Sequence, residues 1–364
     1  MKRIFSLFAA MTAFLTACSH DSLTMLTGSY NEPDETGIRS FRFNQKTGTA
    51  IPLDSVVTRN PSYLTPSANG KYVYSVNELT PNGEATVSAF RFKKKDGSFK
   101  EIGSVPAGGG DPCYIATDGK RVVTANYSGG SLSVFPLGRG GKLKERTQLF
   151  YGAAGGPDTV RQARPHVHCV LFTPDGNHLV ASDFSADRLL VFPVSEQGVA
   201  ADSTGEALAV PLEADYGPRH IVFSPDGKTA YVLGELSGKI TVFDYADGLL
   251  AAKQTVDADP YDGRGSADIH LSPDGKFLYA SNRLVNDGIA VFKVDKHGLL
   301  EQTAYQATRI HPRNFIITPN GKYLLCACRD SGMIQVFSRD RKTGLLTDTG
   351  RDILLPKPVC IRFL

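Results

Sequence analysis

The chain has 364 residues, of which 41% are hydrophobic and 21% charged, and its formal net charge at pH 7 is +3. This composition is typical of a globular protein and excludes a disordered one. A charge so close to zero argues against a non-specific nucleic-acid binder, which carries a strong basic excess on one face. We therefore expect no nucleic-acid partner.

The first 18 residues have the pattern of an export signal. Lys2 and Arg3 precede an apolar run over residues 4–15, which is too short to cross a bilayer. The run ends in Leu15-Thr16-Ala17-Cys18, and a small residue directly before a cysteine resembles a bacterial lipobox. This pattern predicts a lipoprotein that is exported, lipidated at Cys18 and anchored to a membrane on its periplasmic or cell-surface side. The alternative is an ordinary signal peptide that happens to be cleaved near a cysteine.

The remaining cysteines are five, and an odd number in an exported chain leaves at least one thiol free. Their spacing does not match a zinc site, so they are interpreted mainly as small buried hydrophobic residues, and no metal or other cofactor is expected. They are Cys113, Cys169, Cys326, Cys328 and Cys360.

Two repeated units run along the rest of the chain. One is a turn of the Pro-Asp-Gly type between two apolar runs, with its glycine at Gly70, Gly119, Gly176, Gly227, Gly275 and Gly321. The other is an alternating strand with one phenylalanine in a fixed register, at Phe41, Phe90, Phe135, Phe192, Phe243, Phe292 and Phe337. Both recur every 45–57 residues, which is enough for four short strands with their turns.

Seven copies of one unit and six of the other indicate a ring that is closed by both ends of the chain. If the last strand, predicted at Val359–Leu364, completes the unit that the strands near residues 25–30 and 38–43 begin, seven full units result. We therefore predict an all-β fold, a seven-bladed β-propeller in one domain over residues 19–364, in which the N- and C-terminal strands share a blade. An open β-solenoid is the rival, but it would need shorter and stricter repeats.

Polar residues recur at two positions of the repeat where packing alone would favour apolar ones. Four residues before the last apolar residue of each innermost strand stand Asn60, Asp111, His168, Arg219, Ala267 and Arg313. Eight residues after each turn glycine stand Glu78, Tyr127, Phe184, Glu235, Arg283 and Arg329.

Both sets are predicted to converge on one mouth of the central channel. Charges gathered there are costly unless they are hydrated, paired or used for binding. The excess of arginine and histidine over acidic residues favours an anionic ligand. The alternative is that the channel is simply wet and its charges pair only with one another.

Several motifs, in order along the chain, resemble the lactonase family of seven-bladed propellers. They are Arg161-Gln162 with Pro165-His166-Val167-His168, Gly217-Pro218-Arg219-His220, Ala267-Asp268-Ile269-His270, Ser281-Asn282-Arg283 and Pro312-Arg313-Asn314-Phe315. The family includes the propeller type of 6-phosphogluconolactonase and the fungal carboxymuconate-lactonizing enzyme. The resemblance extends from about Leu26 to the C-terminus.

The resemblance implies which residues contact the lactone. Catalytic roles would fall to Arg219, Glu235, Arg283 and one histidine of the pair His166 and His168, of which the repeat position favours His168. The repeat positions add Glu78, Arg313 and Arg329 as substrate-binding candidates, and the motifs add His166, Asp268 and His270. One departure is Cys328-Arg329, where relatives usually carry Asn-Gln, because it adds a positive charge.

These patterns together predict a lactonase that hydrolyses a sugar-acid or related anionic lactone without a metal. Water attack on the ester carbonyl needs a base and a stabiliser of the oxyanion. His168 or Glu235 would be the base, and Arg219 with Arg283 would hold the substrate and the oxyanion. A cycloisomerase of the muconate type, or a non-catalytic surface propeller that binds carbohydrate or protein, are the alternatives.

Overall fold

The computed structural model describes residues 21–80, 85–199 and 207–364. In these ranges the chain forms seven antiparallel sheets of four strands, one of which gains a short fifth strand. Cys18 and the predicted signal lie outside the described residues. Within the same ranges, no helix combines the length and the apolar character needed to cross a membrane.

The strands are numbered in chain order. They are β1 Ser22–Ser29, β2 Thr36–Asn44, β3 Thr49–Val57, β4 Leu64–Pro66, β5 Tyr72–Asn77, β6 Thr86–Lys93, β7 Ser98–Pro106, β8 Pro112–Thr117, β9 Arg121–Asn126, β10 Ser131–Pro136, β11 Gln148–Tyr151, β12 Val167–Phe172, β13 His178–Asp183, β14 Arg188–Pro193 and β15 Leu208–Pro211. The series continues with β16 Pro218–Phe223, β17 Thr229–Gly234, β18 Lys239–Ala246, β19 Leu249–Asp257, β20 Ile269–Leu271, β21 Phe277–Asn282, β22 Gly288–Val294, β23 Leu300–Ala307, β24 Pro312–Ile317, β25 Tyr323–Cys328, β26 Met333–Arg339, β27 Leu346–Asp348, β28 Ile353–Leu354 and β29 Pro358–Phe363. Three short 3-10 turns cover Arg139–Gly141, Phe184–Ala186 and Arg329–Ser331.

The sheets are the seven blades of a propeller that is closed as predicted. Six blades consist of consecutive strands, and the seventh has the order β29-β1-β2-β3, with the C-terminal strand innermost. The innermost strands β4, β8, β12, β16, β20, β24 and β29 contact their neighbours all the way around the ring. Because the ring closes, no blade leaves its flank exposed as the end of an open stack would.

The repeated phenylalanine stabilises the packing between blades. In all seven copies it lies on the third strand of the blade and is at most 4% exposed. Burial of one such side chain contributes about 1.5–3 kcal/mol. The phenylalanine repeat in the sequence therefore marks one buried core residue in each blade.

The glycine turns join six of the seven innermost strands to the next strand on one face of the ring, and β29, the seventh, runs in the same direction. All six turn glycines have a positive φ between 63° and 83°, a conformation that other residues rarely adopt. The innermost strands consequently all end at this face and all begin at the opposite one. We call the channel opening where they begin the upper mouth.

Candidate active site

A β-bulge at the start of the innermost strands turns polar side chains into the upper mouth. In five blades the pairing with the next strand shifts at the second residue of the strand. A bulge redirects the extra residue and is common beside active sites. The residues at this position around the ring are Ser62, Cys113, His168, Arg219, Ala267, Arg313 and Val359.

The first predicted set of channel residues is therefore wrong in two blades. Asn60 and Asp111 lie two residues before the bulge position, in the left-handed turn that leads into the strand, with φ of 40° and 49°. The predicted position is four residues before the last apolar residue of the innermost strand. In these two blades that residue, Leu64 or Ile115, stands two residues before the end of β4 or β8.

The second predicted set occupies one equivalent position in six of the seven blades. Its residues directly follow the second strand of each blade, and five of them donate their backbone N–H to a carbonyl just before the innermost strand. These bonds join Glu78 to Asn60, Tyr127 to Asp111, Phe184 to His166, Glu235 to Gly217 and Arg329 to His311. This position places Glu235 and Arg283 in the same mouth as His168 and Arg219.

Glu235 is the centre of the resulting cluster. Its Oε2 accepts from Nε of Arg219 at 2.8 Å and lies 3.9 Å from Nε2 of His168. Its Oε1 accepts from Nη2 of Arg161 at 2.7 Å and lies 3.3 Å from Nη2 of Arg283. One carboxylate thus faces three guanidinium groups, so the cluster carries an excess of positive charge.

Burial and charge set the protonation of the cluster. Burial alone would raise the pKa of Glu235, but Arg283, Arg219 and Arg161 outweigh it and lower that pKa to about 2. Burial, reinforced by Arg219, holds the pKa of His168 well below its ordinary value. At neutral pH the site therefore contains a carboxylate anion and an uncharged imidazole that can accept a proton.

A second carboxylate lies at the same mouth with different partners. Oε1 of Glu78 accepts from the Tyr30 hydroxyl at 2.7 Å and lies 3.8 Å from Nη2 of Arg313. The Arg313 guanidinium lies over the Tyr30 ring, 5.3 Å from its centroid. Oε2 of Glu78 is buried and has no hydrogen-bond partner among the described residues. Glu78 thus brings a second, partly exposed carboxylate to the mouth.

The two candidate histidines have different surroundings. His168 is 5% exposed and lies beside Glu235. His166 stacks on the Tyr127 ring with centroids 4.1 Å apart, and its Nδ1 is 2.8 Å from the Tyr127 carbonyl oxygen. His166 thus lies in the wall of the mouth, whereas His168 lies within the charged cluster.

The other predicted binding residues are not all at the mouth. Arg329 is near it, with its guanidinium paired to Asp330. Asp268 is 1% exposed and lies deeper, where it contacts His220 and His270. His270 lines a cavity of about 270 Å3 at the opposite end of the channel. We call this cavity the lower cavity.

Arg161 belongs to the site although the sequence analysis does not predict it as a site residue. It lies in the connection between β11 and β12, outside both repeated positions. Its contact with Glu235 identifies it as part of the site. Arg264 holds this connection through Asp158, which its Nη2 contacts at 2.8 Å. The side chain of Arg161 is 35% exposed, more than those of Arg219 and Arg283, so it is accessible to a ligand.

The five cysteines follow the sequence interpretation. All are buried and free of disulfides. Cys113 lies beside the site, with Sγ 3.8 Å from Nδ1 of His168, but burial raises the pKa of its thiol well above the ordinary value. A protonated thiol is a poor nucleophile. Among the described residues, no group of three or more His, Cys, Asp or Glu side chains could hold a metal ion.

Proteins of known sequence match this chain along almost its whole length. A 6-phosphogluconolactonase from Formosa agariphila is 37% identical over 344 residues, which cover 91% of this chain and 96% of that protein. A 6-phosphogluconolactonase from Bacillus subtilis is 32% identical, over 93% of this chain and 97% of that protein.

Two solved structures also match this chain along almost its whole length. A structure from Bacteroides uniformis, provisionally described as a 6-phosphogluconolactonase, is 54% identical with a TM-score of 0.91, over 94% of this chain and 100% of that one. The periplasmic gluconolactonase of Pseudomonas aeruginosa is 31% identical with a TM-score of 0.88, over 94% of this chain and 99% of that one. The family described as "Lactonase, 7-bladed beta-propeller" matches residues 24–363. The chain therefore belongs to the lactonase family of seven-bladed β-propellers.

Proposed function

We propose that the protein hydrolyses a sugar-acid lactone at the upper mouth, in the manner of a 6-phosphogluconolactonase. The observation that carries this proposal is the arrangement of Arg161, Arg219 and Arg283 around Glu235, beside an uncharged His168. Lactone hydrolysis needs donors for the developing oxyanion and an acceptor for the proton of water, and this cluster contains both.

In the proposed reaction, His168 acts as the base. It takes a proton from water while the oxygen of that water bonds to the lactone carbonyl carbon. The carbonyl oxygen becomes an oxyanion, which the arginines stabilise, and the bond from that carbon to the ring oxygen then breaks. The proton held by His168 passes to the ring oxygen, so the product is a hydroxy acid.

Glu235 is better suited to hold the arginines than to act as the base. Both of its oxygens already face guanidinium groups, and protonation of the carboxyl group would cost these contacts. It orients the guanidinium groups and offsets part of their mutual repulsion.

The remaining groups of the mouth suit a substrate with a single negatively charged group. The Glu78 carboxylate would repel a second carboxylate on the substrate. The exposed Arg161 can bind a carboxylate or phosphate through two parallel N–H groups. These contacts favour a sugar lactone over a muconate-type dicarboxylate.

A lactone panel with the purified protein tests the proposal. It should include phosphorylated and unphosphorylated sugar lactones and a muconate-type lactone, and spontaneous hydrolysis must be subtracted. We expect acid release from the sugar lactones with incorporation of one oxygen from 18O-labelled water. Turnover without solvent oxygen would identify a cycloisomerase, and saturable binding without turnover would identify a non-catalytic propeller.

We also propose that the protein is exported and anchored through lipidated Cys18. The support is the lipobox-like sequence together with the relative that is described as periplasmic. Cys18→Ser should release the protein from the membrane fraction into the soluble one. Retention of that variant on washed membranes would refute the anchor.

A further inference from the structure

Arg219 is held by three acceptors, one of which is a histidine. Its Nε donates to Glu235, and its Nη1 donates to the Ala267 carbonyl oxygen and lies 3.2 Å from Nε2 of His220. A guanidinium group can only donate hydrogen bonds. Nε2 of His220 must therefore carry a lone pair and no proton.

The other nitrogen of His220 is fixed by a buried aspartate. Nδ1 lies 2.7 Å from Oδ1 of Asp268, a residue that is 1% exposed. Burial and Arg219 lower the pKa of His220 to about 4, so at neutral pH the ring carries one proton. The carboxylate holds that proton on Nδ1 and leaves Nε2 free to accept from Arg219.

A looser version of this arrangement occurs at the second arginine of the cluster, where the aspartate is partly exposed and lies at ion-pair distance from the histidine. Nη1 of Arg283 lies 3.2 Å from Nε2 of His311, and Nδ1 of His311 lies 3.2 Å from Oδ2 of Asp330. Burial and Arg283 lower the pKa of His311 to about 3. Two Asp-His-Arg series thus converge on the single carboxylate of Glu235.

We propose that His220 and His311 are positioning residues, each set by its aspartate in the tautomer that accepts a hydrogen bond from Arg219 or Arg283. In this state each histidine holds a guanidinium group against Glu235 and aims it at the mouth. The catalytic consequence rests on the proposed function, whereas the tautomers themselves do not depend on it.

Asp268→Asn should reverse the tautomer of His220. Among the described residues, Oδ2 of Asp268 accepts from His270, from the Asn314 amide and from the Phe315 N–H, whereas Oδ1 accepts from His220 and the Ile269 N–H. An asparagine would keep its oxygen on the side with three donors and turn its NH2 group toward His220. Nδ1 would then have to accept, and the proton would move to Nε2, where it opposes a guanidinium donor.

The test is nitrogen NMR of the full chain labelled with 15N-histidine, with the His220 signals assigned from a His220→Gln variant. In the wild type we expect a protonated Nδ1 and a bare Nε2 at neutral pH. In Asp268→Asn we expect the reverse. We also expect kcat on the active lactone to fall about 10- to 100-fold with little change in KM, because Arg219 is misplaced while most substrate contacts remain.

A matched control is Asp183→Asn. Asp183 is also fully buried, but it accepts from the Ala153 N–H and from Arg188 rather than from a histidine. This variant should be destabilised and still retain the wild-type His220 signals. If Asp268→Asn does not fold, Asp330→Asn tests the second series, since Asp330 is partly exposed and its loss is better tolerated.

A protonated Nε2 on His220 in the wild type would overturn the proposal, and so would an unchanged tautomer with unchanged kcat in Asp268→Asn. A protein that shows the expected tautomers but hydrolyses no lactone would refute the proposed function instead. The two failures are therefore distinguishable.

Discussion

The two ends of the channel are built from the same seven strands and differ in chemistry. The upper mouth contains Glu235 with its three arginines, as well as the pair of Glu78 and Arg313. The lower cavity is mostly apolar and aromatic. Its lining comprises Tyr63, Tyr114, Leu171, Phe172, Pro174, His220, Ile221, Val222, Phe223, Asp268, Ile269 and His270.

The local backbone accounts for this difference. At the upper mouth, the bulge and the end of the neighbouring strand place two residues of each blade near the channel, so long charged side chains can meet across it. Beyond the bulge, the strands return to regular alternation until the glycine turn. Both ends thus share the same strands, while the charged groups meet at the end where the bulge and the end of the second strand lie side by side.

Deletion of 358–364 should have the largest effect, because it removes the innermost strand of the shared blade and disrupts both ends of the channel. Strand β1 would lose one of its two partners, and β4 and β24 would lose a neighbour in the ring. We expect loss of cooperative unfolding in calorimetry and circular dichroism. A truncated protein with an unchanged Tm would contradict the closed ring.

Arg219→Ala and Arg283→Ala should affect only the charged end. Loss of one oxyanion donor typically lowers kcat by about 10²–10³-fold. We expect that loss on the active lactone, with a circular dichroism spectrum like that of the wild type. Arg339→Ala is a control for removal of a buried arginine, since Arg339 contacts Tyr279 and Gly321 rather than Glu235. Near-normal turnover in both site variants would place the chemistry elsewhere.

The acid stability of the protein should depend on Glu235. Its pKa of about 2 is below the unfolded value of about 4.5, so its ionised form stabilises the fold. This contribution is complete above pH 4.5 and is lost as the pH falls toward 2. One pKa unit corresponds to about 1.4 kcal/mol, so the contribution is on the order of 3 kcal/mol.

Glu235→Gln should remove this pH dependence and should itself be less stable at neutral pH. Urea unfolding between pH 3 and 7 measures it as the difference between the two proteins. The buried His168 and His220 also favour unfolding in acid, because their pKa values are lowered, but both proteins contain them. Parallel pH profiles would show that Glu235 is not the buried anion argued above.

The fold could be predicted because its signals repeat. The phenylalanine and glycine positions recur in six or seven copies, and the mismatch between their numbers already indicated the shared blade. Glu235, Arg283 and Glu78 could be found because they follow the second strand at a constant distance from the turn. A regular backbone makes equal spacing in the sequence equivalent to equal position in space.

The rest of the site could not be predicted, because it depends on irregular backbone. Arg161 reaches Glu235 from a long connection that no other blade repeats. The predicted position fails for Asn60 and Asp111 because β4 and β8 continue for two residues beyond their last large apolar side chain. The series from Asp268 through His220 to Arg219 crosses between blades, and no spacing in the sequence measures that distance.

Filling the lower cavity should have the smallest effect. Val222 lines this cavity and lies two residues beyond His220, so Val222→Phe would place a ring in the apolar space without removing a charge. Because the cavity of about 270 Å3 can accept the larger side chain, we expect a stability change within about 1 kcal/mol, at the low end for added core volume. We also expect kcat and KM on the active lactone to stay within about twofold, as is usual for changes outside the set of groups that contact the transition state.

The measurement is steady-state kinetics beside a urea titration, with Val242→Phe as a control for overpacking of a fully buried core position. A loss of turnover in Val222→Phe with normal stability would mean that the apolar end takes part in the reaction, for instance as a passage for product, and that the two ends do not act separately.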